Sequence, residues 1–492
     1  MSGESAVEAQ LTAGTIAGRR VGEVLRFSAV PYAAPPVGAG RFALPQPVEP
    51  WTGVRAAHRP GPAPPQPAAG DELVPGMTPA ATSEDCLTAE VWTPSVEGRR
   101  PVLVWVPGGR YQIGGASLRT YDGARLAGEG DLVVVGLNYR LGALGFLYAE
   151  GVPANLGLRD LLAALHWLRD EVAAFGGDPD RIVVIGESAG AGAITHLLAV
   201  AGTADLVAGA IVQSGAPAAT LDPETATLVG RAVMDAAGAA SVADLRTVPV
   251  DALVAAQDQA CTALLGRVGM MPLHPVVDGD LLRATPLEAA AAGTLAPVAL
   301  VVGTTAQEME LFRTAVPQLD NAVAVPFLAA KLAPVLGARP PDETVRRGLA
   351  AVGGDLVEAI ADTDLHSPAA LLADSHARRG LPVWRYRFAW PSPGIGAAHA
   401  TDLPFTFGTL DVEGWRSFVG ADDPERRATA DQLSRRMRSA WTSFCHDLEP
   451  ACDPVGPWPR HDPPHRPVVC LDRTVEVVED PDGDRIGAWT RD

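Results

Sequence analysis

Short runs of apolar, largely β-branched residues recur along the chain and alternate with segments of helical periodicity. Strands are predicted at residues 102–106, 132–135, 182–185, 208–215, 297–303 and 381–390. Between the second and third of these runs, apolar residues recur at helical spacing over 160–175 and stop at Gly176-Gly177-Asp178-Pro179. Because continuous apolar strands separated by helices are covered on both faces, the pattern indicates an α/β fold with a mainly parallel sheet.

The sequence before and after these alternating strands and helices predicts the elements at the margins of the sheet. Prolines disfavour a helix over residues 22–58 and favour extended edge structure there, and the dense Pro, Ala and Gly of 59–82 favour a long surface loop. A helix is predicted over residues 428–446, and edge strands are predicted over 468–478.

No independent core precedes the proline-rich loop, so the 492 residues are expected to form a single domain, 1–492. Residues 220–296 are rich in alanine and helical in pattern, and residues 315–380 suggest helices and loops. We expect these two stretches to be cap-like insertions that overhang a site.

The charge of the chain limits its partners. Lysine and arginine number 39 against 58 aspartates and glutamates, and the net charge of −19 argues against nucleic acid or an anionic membrane as a partner. No apolar run approaches the ~18 residues of a membrane span, and residues 1–27 lack the apolar core of a signal peptide. Five scattered cysteines without metal-ligand spacing favour free thiols, so a cytoplasmic location is expected.

The run at 182–185 leads directly into Gly186-Glu187-Ser188-Ala189-Gly190, which a second helical segment follows. A serine placed between a strand and a helix is typical of a nucleophile elbow. The backbone of such a serine is strained, so the residues two before and two after it must be small for the strand and helix to approach. The turn exposes the Ser188 hydroxyl and directs the amide of Ala189 toward a developing oxyanion. We therefore interpret Ser188 as a catalytic nucleophile.

A serine hydroxyl needs a base to remove its proton, and the base needs an anionic partner to fix its tautomer. His399 follows the strand at 381–390 in a loop of small residues, where the carboxyl ends of parallel strands collect functional groups. We therefore interpret His399 as the base. Other histidines lie in helical patterns or in a proline-rich segment expected at the surface, namely His366, His376, His446, His461 and His465.

The acid is expected between the serine and the histidine in chain order. Glu308 and Glu310 both follow the strand at 297–303, and the residue pattern alone leaves both open. Oxyanion stabilisation needs amides from a second loop besides that of Ala189. Gly108-Gly109-Arg110 follows the strand at 102–106 directly and can supply them, since its glycines permit amides to face a ligand.

Several motifs in a fixed order resemble the type-B carboxylesterase family of the α/β-hydrolase fold, the group of bacterial p-nitrobenzyl esterases and cholinesterases. The likeness covers about 27–489, nearly the whole chain. Besides the elbow, its parts are Pro31-Tyr-Ala-Ala-Pro-Pro-Val-Gly38 with Arg41-Phe42, Ser83-Glu-Asp-Cys-Leu87, Asn138-Tyr-Arg-Leu-Gly142, Ala174-Phe-Gly-Gly-Asp-Pro179, Gln213-Ser-Gly215 and His399-Ala-Thr-Asp-Leu-Pro-Phe405.

The resemblance implies Ser188 as nucleophile, His399 as base and Glu308, rather than Glu310, as acid. It further implies that the oxyanion-hole amides belong to Gly109, Arg110 and Ala189, and that Ser214 is a supporting serine beside the acid and base. It implies a serine hydrolase that cleaves carboxylic esters through an acyl-enzyme, with a small-molecule ester as partner and no metal or organic cofactor. Oligomeric state stays open.

This chain departs from the family pattern around the candidate site. The usual His-Gly-Gly followed by Gly or Ala is Pro107-Gly-Gly-Arg110 here, and Gln307 and Met309 replace the usual Asp and Gly around the acid. The arginine side chain is expected to narrow the acyl pocket or to attract an acidic substrate. Two alternatives follow: a hydrolase of amides, carbamates or lactones, and an inactive binding member of the family. Since this sequence has a serine, a glutamate and a histidine at the three triad positions, the non-catalytic adhesion proteins of the family are a poor model for it.

Overall fold

The computed structural model describes residues 7–68, 74–269, 271–315 and 321–490. Its strands alternate with helices over most of the chain, as the apolar pattern predicts. The strands, numbered in chain order, are β1 (Val7–Leu11), β2 (Gly14–Val21), β3 (Val24–Pro31), β4 (Val54–Ala56), β5 (Thr88–Thr93), β6 (Arg100–Val106), β7 (Val133–Leu137), β8 (Gly177–Glu187), β9 (Gly209–Gln213), β10 (Ala299–Thr305), β11 (Val383–Phe388), β12 (Ala451–Cys452), β13 (Gly456–Pro457), β14 (Pro467–Leu471) and β15 (Val475–Glu479).

The helices lie between these strands and after them. They are α1 (Ala124–Gly130), α2 (Gly142–Phe146), α3 (Leu156–Glu171), α4 (Ala189–Leu198), α5 (Pro223–Ala236), α6 (Val242–Thr247), α7 (Val250–Val268), α8 (Pro286–Ala291), α9 (Asn321–Leu336), α10 (Asp342–Ala351), α11 (Leu356–Ala361), α12 (Ser367–Arg378), α13 (Leu403–Phe407), α14 (Trp415–Phe418), α15 (Pro424–Asp447) and α16 (Gly483–Thr490). Among the described residues, no helix is both long enough and apolar enough to cross a membrane.

One large mixed sheet organises the chain. Its order within the described residues is β1-β2-β3-β5-β7-β6-β8-β9-β10-β11-β14-β15, with β4 beside β2. The pairs from β7 through β14 are all parallel, whereas β15 and β1, β2, β3 and β5 on the amino-terminal side pair antiparallel; β4 pairs parallel with β2. The prediction of a mostly parallel sheet is confirmed, and the antiparallel pairs at its margins are an addition that the sequence did not indicate. The carboxyl ends of β6, β8, β10 and β11 consequently meet at one edge.

Alternate residues of the central strands enter two separate hydrophobic clusters, one on each face of the sheet. In β6, Val102, Val104 and Val106 belong to one cluster. Leu103 and Trp105 belong to the other, where α15 packs. This alternation follows from the two-residue repeat of a strand, and burial on both faces explains why β6 is continuously apolar from Val102 to Val106 rather than alternately polar.

Two sequence predictions at the margins of the sheet need correction. The proline-rich stretch 59–82, expected as a surface loop, buries Ala63, Val74 and Met77, because it packs against residues after β6 and β7. The hydroxyl of Tyr121 lies 3.4 Å from the sulfur of Met77, and the side chain of Asn138 donates to the carbonyl oxygen of Pro62. Residues 69–73 of this stretch lie outside the described range. Of the two strands expected at the edge over 468–478, only β15 is an edge strand. β14 lies inside the sheet because β11 pairs with its other side.

The two expected insertions contain α5–α8 and α9–α12. Within the first, Arg41 joins the amino-terminal region to α6 by donating hydrogen bonds to the carbonyl oxygens of Leu245 and Val248. The second builds its own small cluster around Leu328, Leu332 and other buried apolar residues. Residues 316–320 of the second insertion lie outside the described range. That both stretches act as caps on one domain stays a prediction.

Candidate active site

The sharp turn at Ser188 forms because β8 ends at Glu187 and α4 begins at Ala189. Ser188 has φ 55° and ψ −124°, a conformation that L residues rarely adopt. The flanking glycines allow this packing: a Cβ on Gly190 would lie 2.0 Å from the carbonyl oxygen of Val106, and one on Gly186 would lie 2.7 Å from the carbonyl carbon of Gly190. The expected reason for small residues at these positions is therefore confirmed.

A second loop approaches the serine from the end of β6. A Cβ on Gly108 would lie 3.1 Å from the Cβ of Ser188. Gly109 and Arg110 have φ of 116° and 56°, and the carbonyl oxygen of Gly109 accepts hydrogen bonds from the amides of Gln112 and Ile113. In the described part of the chain, the amides of Gly109, Arg110 and Ala189 donate no hydrogen bond. They are therefore available to an oxyanion.

Proline at position 107 leaves this loop without the side chain that the family usually has there, and other groups hold it. The hydroxyl of Tyr139 donates to the carbonyl oxygen of Pro107 at 2.9 Å. The side-chain amide of Gln66 exchanges two hydrogen bonds with the backbone of Gly114. The loop is thus fixed at both ends despite the substitution.

His399 and Glu308 form a buried pair after β10 and β11. The Nδ1 atom of His399 lies 2.7 Å from Oε2 of Glu308, whose side chain is completely buried. The other carboxylate oxygen of Glu308 accepts a hydrogen bond from the amide of Thr305 at 2.8 Å. The carboxylate is thereby fixed, and it fixes the imidazole orientation and tautomer in turn.

The second ring nitrogen of His399 points to the elbow. Its Nε2 atom lies 3.2 Å from Oε1 of Glu187, the residue directly before Ser188. Glu310, the rival candidate for the acid, instead forms an ion pair with Arg313 toward the surface. The structure thus pairs His399 with Glu308, places this pair beside the residue that precedes Ser188, and leaves Glu310 outside.

Few residues are accessible to solvent on the three segments that form the candidate site. Ser188 is the one residue of 182–198 that is not buried, and His399 is the one residue of 397–410 that is not buried. In the loop after β6, Gly109 and Arg110 are partly exposed between buried neighbours on both sides. The accessible positions on these three segments are therefore the ones that a substrate would meet.

The charges of the cluster shift its pKa values in opposite directions. Burial alone would raise the pKa of Glu308, but its hydrogen bond and charge attraction to His399 hold that pKa below its usual value, with a smaller contribution from the Ser214 hydroxyl. Burial alone would lower the pKa of His399, but the charges of Glu187 and Glu308 outweigh burial and raise it to about 9. Ser214 lies in the left-handed region at φ 48°, and its amide donates to the carbonyl oxygen of Gly303 in β10 at 2.8 Å; its role beside the acid stays a prediction.

Two further carboxyl groups in this cluster received no role from the sequence, although both stand in the quoted motifs. Burial raises the pKa of Glu187 to about 8, and burial together with the charge of Glu308 raises the pKa of Asp402 to about 7. The Oδ2 atom of Asp402 accepts a hydrogen bond from the side-chain amide of Gln213 at 3.1 Å. The sequence signal that could have identified them is their position: Glu187 directly precedes Ser188, and Asp402 lies three residues after His399.

The unusual residues on either side of Glu308 have structural partners. The side-chain carbonyl of Gln307 accepts a hydrogen bond from the amide of Ala397 at 2.7 Å, in the loop that carries His399. Met309 is buried in the small cluster of the second insertion. These substitutions therefore connect the acid to neighbouring segments rather than disrupting it.

One histidine outside the cluster also differs from its expectation. His461, expected in a surface segment, is buried and its Nε2 atom lies 2.8 Å from Oδ1 of Asp374. The segment turns inward because Arg466 also pairs with Asp374, at 2.7 Å. The group of His461, Asp374 and Arg466 joins α12 to the segment before β14, and it is remote in sequence from the elbow.

A strained serine between a strand and a helix, faced by a histidine–carboxylate pair on a mainly parallel sheet, is the arrangement of serine hydrolases with the α/β-hydrolase fold. The sequence profile described as "Carboxylesterase family" matches residues 4–331 and 341–489. The chain belongs to this family, and it is an enzyme of the serine-hydrolase type that acts on carboxylic esters.

Individual relatives agree with the family assignment over almost the whole chain. The para-nitrobenzyl esterase of Bacillus subtilis (strain 168) is 35% identical over 483 residues, which cover 96% of each chain. The phenmedipham hydrolase of Pseudarthrobacter oxydans is 34% identical over 499 residues, again 96% of each chain. The solved structure of a thermophilic PNB esterase matches with a TM-score of 0.88 at 32% identity, covering 99% of this chain and 100% of the other.

Proposed function

We propose that Ser188, His399 and Glu308 are the catalytic triad of this carboxylesterase. The single observation that carries the proposal is the buried 2.7 Å contact between Nδ1 of His399 and Glu308, which leaves the other ring nitrogen 3.2 Å from Glu187, the residue directly before Ser188. In the proposed reaction, Ser188 attacks the ester carbonyl carbon while His399 removes its proton. The imidazolium then protonates the leaving alcohol, and Glu308 stabilises its charge throughout.

We further propose that the amides of Gly109, Arg110 and Ala189 form the oxyanion hole. Their freedom from protein acceptors supports this role, because backbone donors directed at the developing oxyanion stabilise the transition state more than the ground state. After the alcohol leaves, His399 activates a water that hydrolyses the acyl-enzyme by the reverse sequence of proton transfers. Ser214 would support the negative charge of the acid, as its effect on the pKa of Glu308 suggests.

The remaining parts of the proposal concern substrate access and location. We propose that residues 220–296 and 315–380 act as caps on a single domain and delimit the pocket for a small-molecule ester. We also propose a reducing compartment, the cytoplasm. Support comes from the five cysteines, all within the described residues and all unpaired, with four of them buried.

Replacement of the nucleophile tests the triad. Ser188→Ala is expected to lower kcat for p-nitrophenyl butyrate on the order of a million-fold, whereas Ser439→Ala, a change at an exposed serine, should leave it unaltered. A fluorophosphonate probe should label the wild-type enzyme and not the Ser188→Ala variant, because only an activated serine reacts quickly. Substantial turnover in Ser188→Ala would point to another nucleophile, and absence of labelling in wild type would favour an inactive binding member.

A hydrolase that prefers amides, carbamates or lactones is the second candidate. Two observations support this candidate. Pro107 and Arg110 are unusual residues beside the proposed oxyanion hole, and one relative is named as a phenmedipham hydrolase. Matched ester and amide substrates with the same acyl group decide between the two. A kcat/KM for the ester well above that for the amide is the result that we expect.

A further inference from the structure

Arg110 lies two residues after the glycine that packs on Ser188, and its guanidinium has no close anionic partner among the described residues. Among the described residues, no carboxylate oxygen lies within 4.0 Å of it, and its side chain makes no hydrogen bond. Arg140, which follows β7, is paired by contrast: it lies 2.6 Å from Asp160. A guanidinium presents a planar set of donors that matches a carboxylate, so an unpaired one at an accessible position is suited to bind an anion.

The position of Arg110 places this charge where a substrate would lie. The residue follows Gly109 in the loop that packs on Ser188, and it is partly exposed while residues 111–116 are buried. Its backbone amide is one of the three proposed oxyanion donors. With the oxyanion bound to that amide, the scissile carbonyl of the substrate lies within about the length of the arginine side chain from the guanidinium.

Helix α7 lies next to the loop that carries Arg110. Gln112 contacts Cys261 of this helix at 3.5 Å, which places the helix against the loop after β6. The charge of Arg110 acts on Asp258 and Cys261, one helical turn apart, although burial dominates and the pKa of Asp258 is raised. Asp258 is thus close enough to weaken the positive field of Arg110 but is not an ion-pair partner.

From this geometry we infer that the enzyme prefers esters that carry a second, anionic group, a carboxylate, a few atoms from the scissile carbonyl, and that Arg110 binds it. The inference rests on the proposed function, because it assumes that the ester is cleaved at Ser188. Around the nucleophile lie the acids Glu187, Glu308 and Asp402, whose negative charges repel an anionic substrate, together with the histidines His399 and His366. Arg110 is the permanent positive charge that offsets their repulsion of an anionic substrate.

Two matched substrate pairs test the inference. The first pair is p-nitrophenyl hydrogen adipate and the analogue whose free carboxylate is a carboxamide, which carry the charge on the acyl side. The second pair is acetoxybenzoate and acetoxybenzamide, which carry it on the alcohol side. The measured quantity is the ratio of kcat/KM for the anionic substrate to that for its neutral partner. A general loss of activity in a variant cancels in this ratio.

In at least one pair, Arg110→Gln is expected to lower the ratio about tenfold, the effect of losing one charge-assisted hydrogen bond. Arg110→Lys should retain part of the ratio. Asp258→Asn should raise it, because that change removes the opposing charge. The ratio in wild type should also fall as salt is added. Equal ratios in wild type and Arg110→Gln for both pairs would overturn the inference.

Failure of the underlying function gives a different result. If the triad proposal is wrong, the Ser188→Ala variant will retain hydrolysis of the neutral esters. If only the inference about Arg110 is wrong, hydrolysis of the neutral esters will depend on Ser188, but the ratio of kcat/KM for the anionic and neutral substrates will be the same in wild type and Arg110→Gln.

Discussion

The contact between His399 and Glu187 leads to a prediction about the pH dependence of the enzyme. A histidine must be neutral to accept the serine proton, so activity rises with pH through the pKa of His399. That pKa is raised to about 9, with the charge of Glu187 as the largest contribution that opposes burial. Glu187→Gln removes this charge and leaves a side chain of the same size. The rising limb of the pH profile should consequently move to lower pH.

The structure gives a lower bound for the shift. Nε2 of His399 and Oε1 of Glu187 are 3.2 Å apart. Two unit charges at this separation interact by about 1.3 kcal/mol even with the dielectric constant of water. This energy corresponds to about one pKa unit. Since both groups are buried, we expect a downward shift of at least about one pH unit.

The assay is kcat/KM for p-nitrophenyl butyrate as a function of pH, with spontaneous hydrolysis subtracted at each point. Glu449→Gln, a change at an exposed glutamate, is the matched control and should leave the profile where it is in wild type. Urea denaturation of each variant establishes that it is folded over the range used. A limb that stays in place in Glu187→Gln would refute the reasoning, because it would mean that Glu187 does not set the pKa of His399.

Two further predictions concern the acid and the core. Glu308→Gln should lower kcat about 10⁴-fold by releasing the histidine tautomer, while Glu310→Gln should have little effect; equal losses in both variants would contradict the assignment. Arg140→Leu should lower the free energy of unfolding, measured with urea, by about 3–5 kcal/mol, because it leaves Asp160 buried and unpaired. Changing Asp160 to leucine as well should restore part of this loss, and a double variant less stable than Arg140→Leu would contradict that explanation.

The central sheet and the elbow could be predicted from sequence because their signals are local. An apolar strand that is buried on both faces is continuous in the sequence, and β8 shows this from Ile182 to Ile185. The strained turn requires small residues at fixed positions, and Gly186 and Gly190 satisfy that requirement. The parallel order of the strands then followed from the helices between them.

The electrostatics of the candidate site could not be predicted in the same way. Whether Glu308 or Glu310 faces His399 depends on how the loops after β10 and β11 pack, and residue patterns left both open until the family resemblance favoured one. The raised pKa values of Glu187 and Asp402 depend on burial and on mutual distance, which one-dimensional spacing does not contain. The inward turn that buries His461 has the same origin, since its partner Asp374 comes from a distant helix.

The loops that carry Glu308 and His399 are joined to each other along their backbones. The amide of His399 donates to the carbonyl oxygen of Glu308 at 3.2 Å, and the amide of Gln307 donates to that of Ala397 at 2.9 Å. A displacement of either loop therefore carries the other with it, and the two side chains keep their mutual alignment. Sequence drift in the surrounding helices would then alter how this joined unit sits against Ser188. Changes of that kind would tune turnover gradually, without abolishing it in a single step.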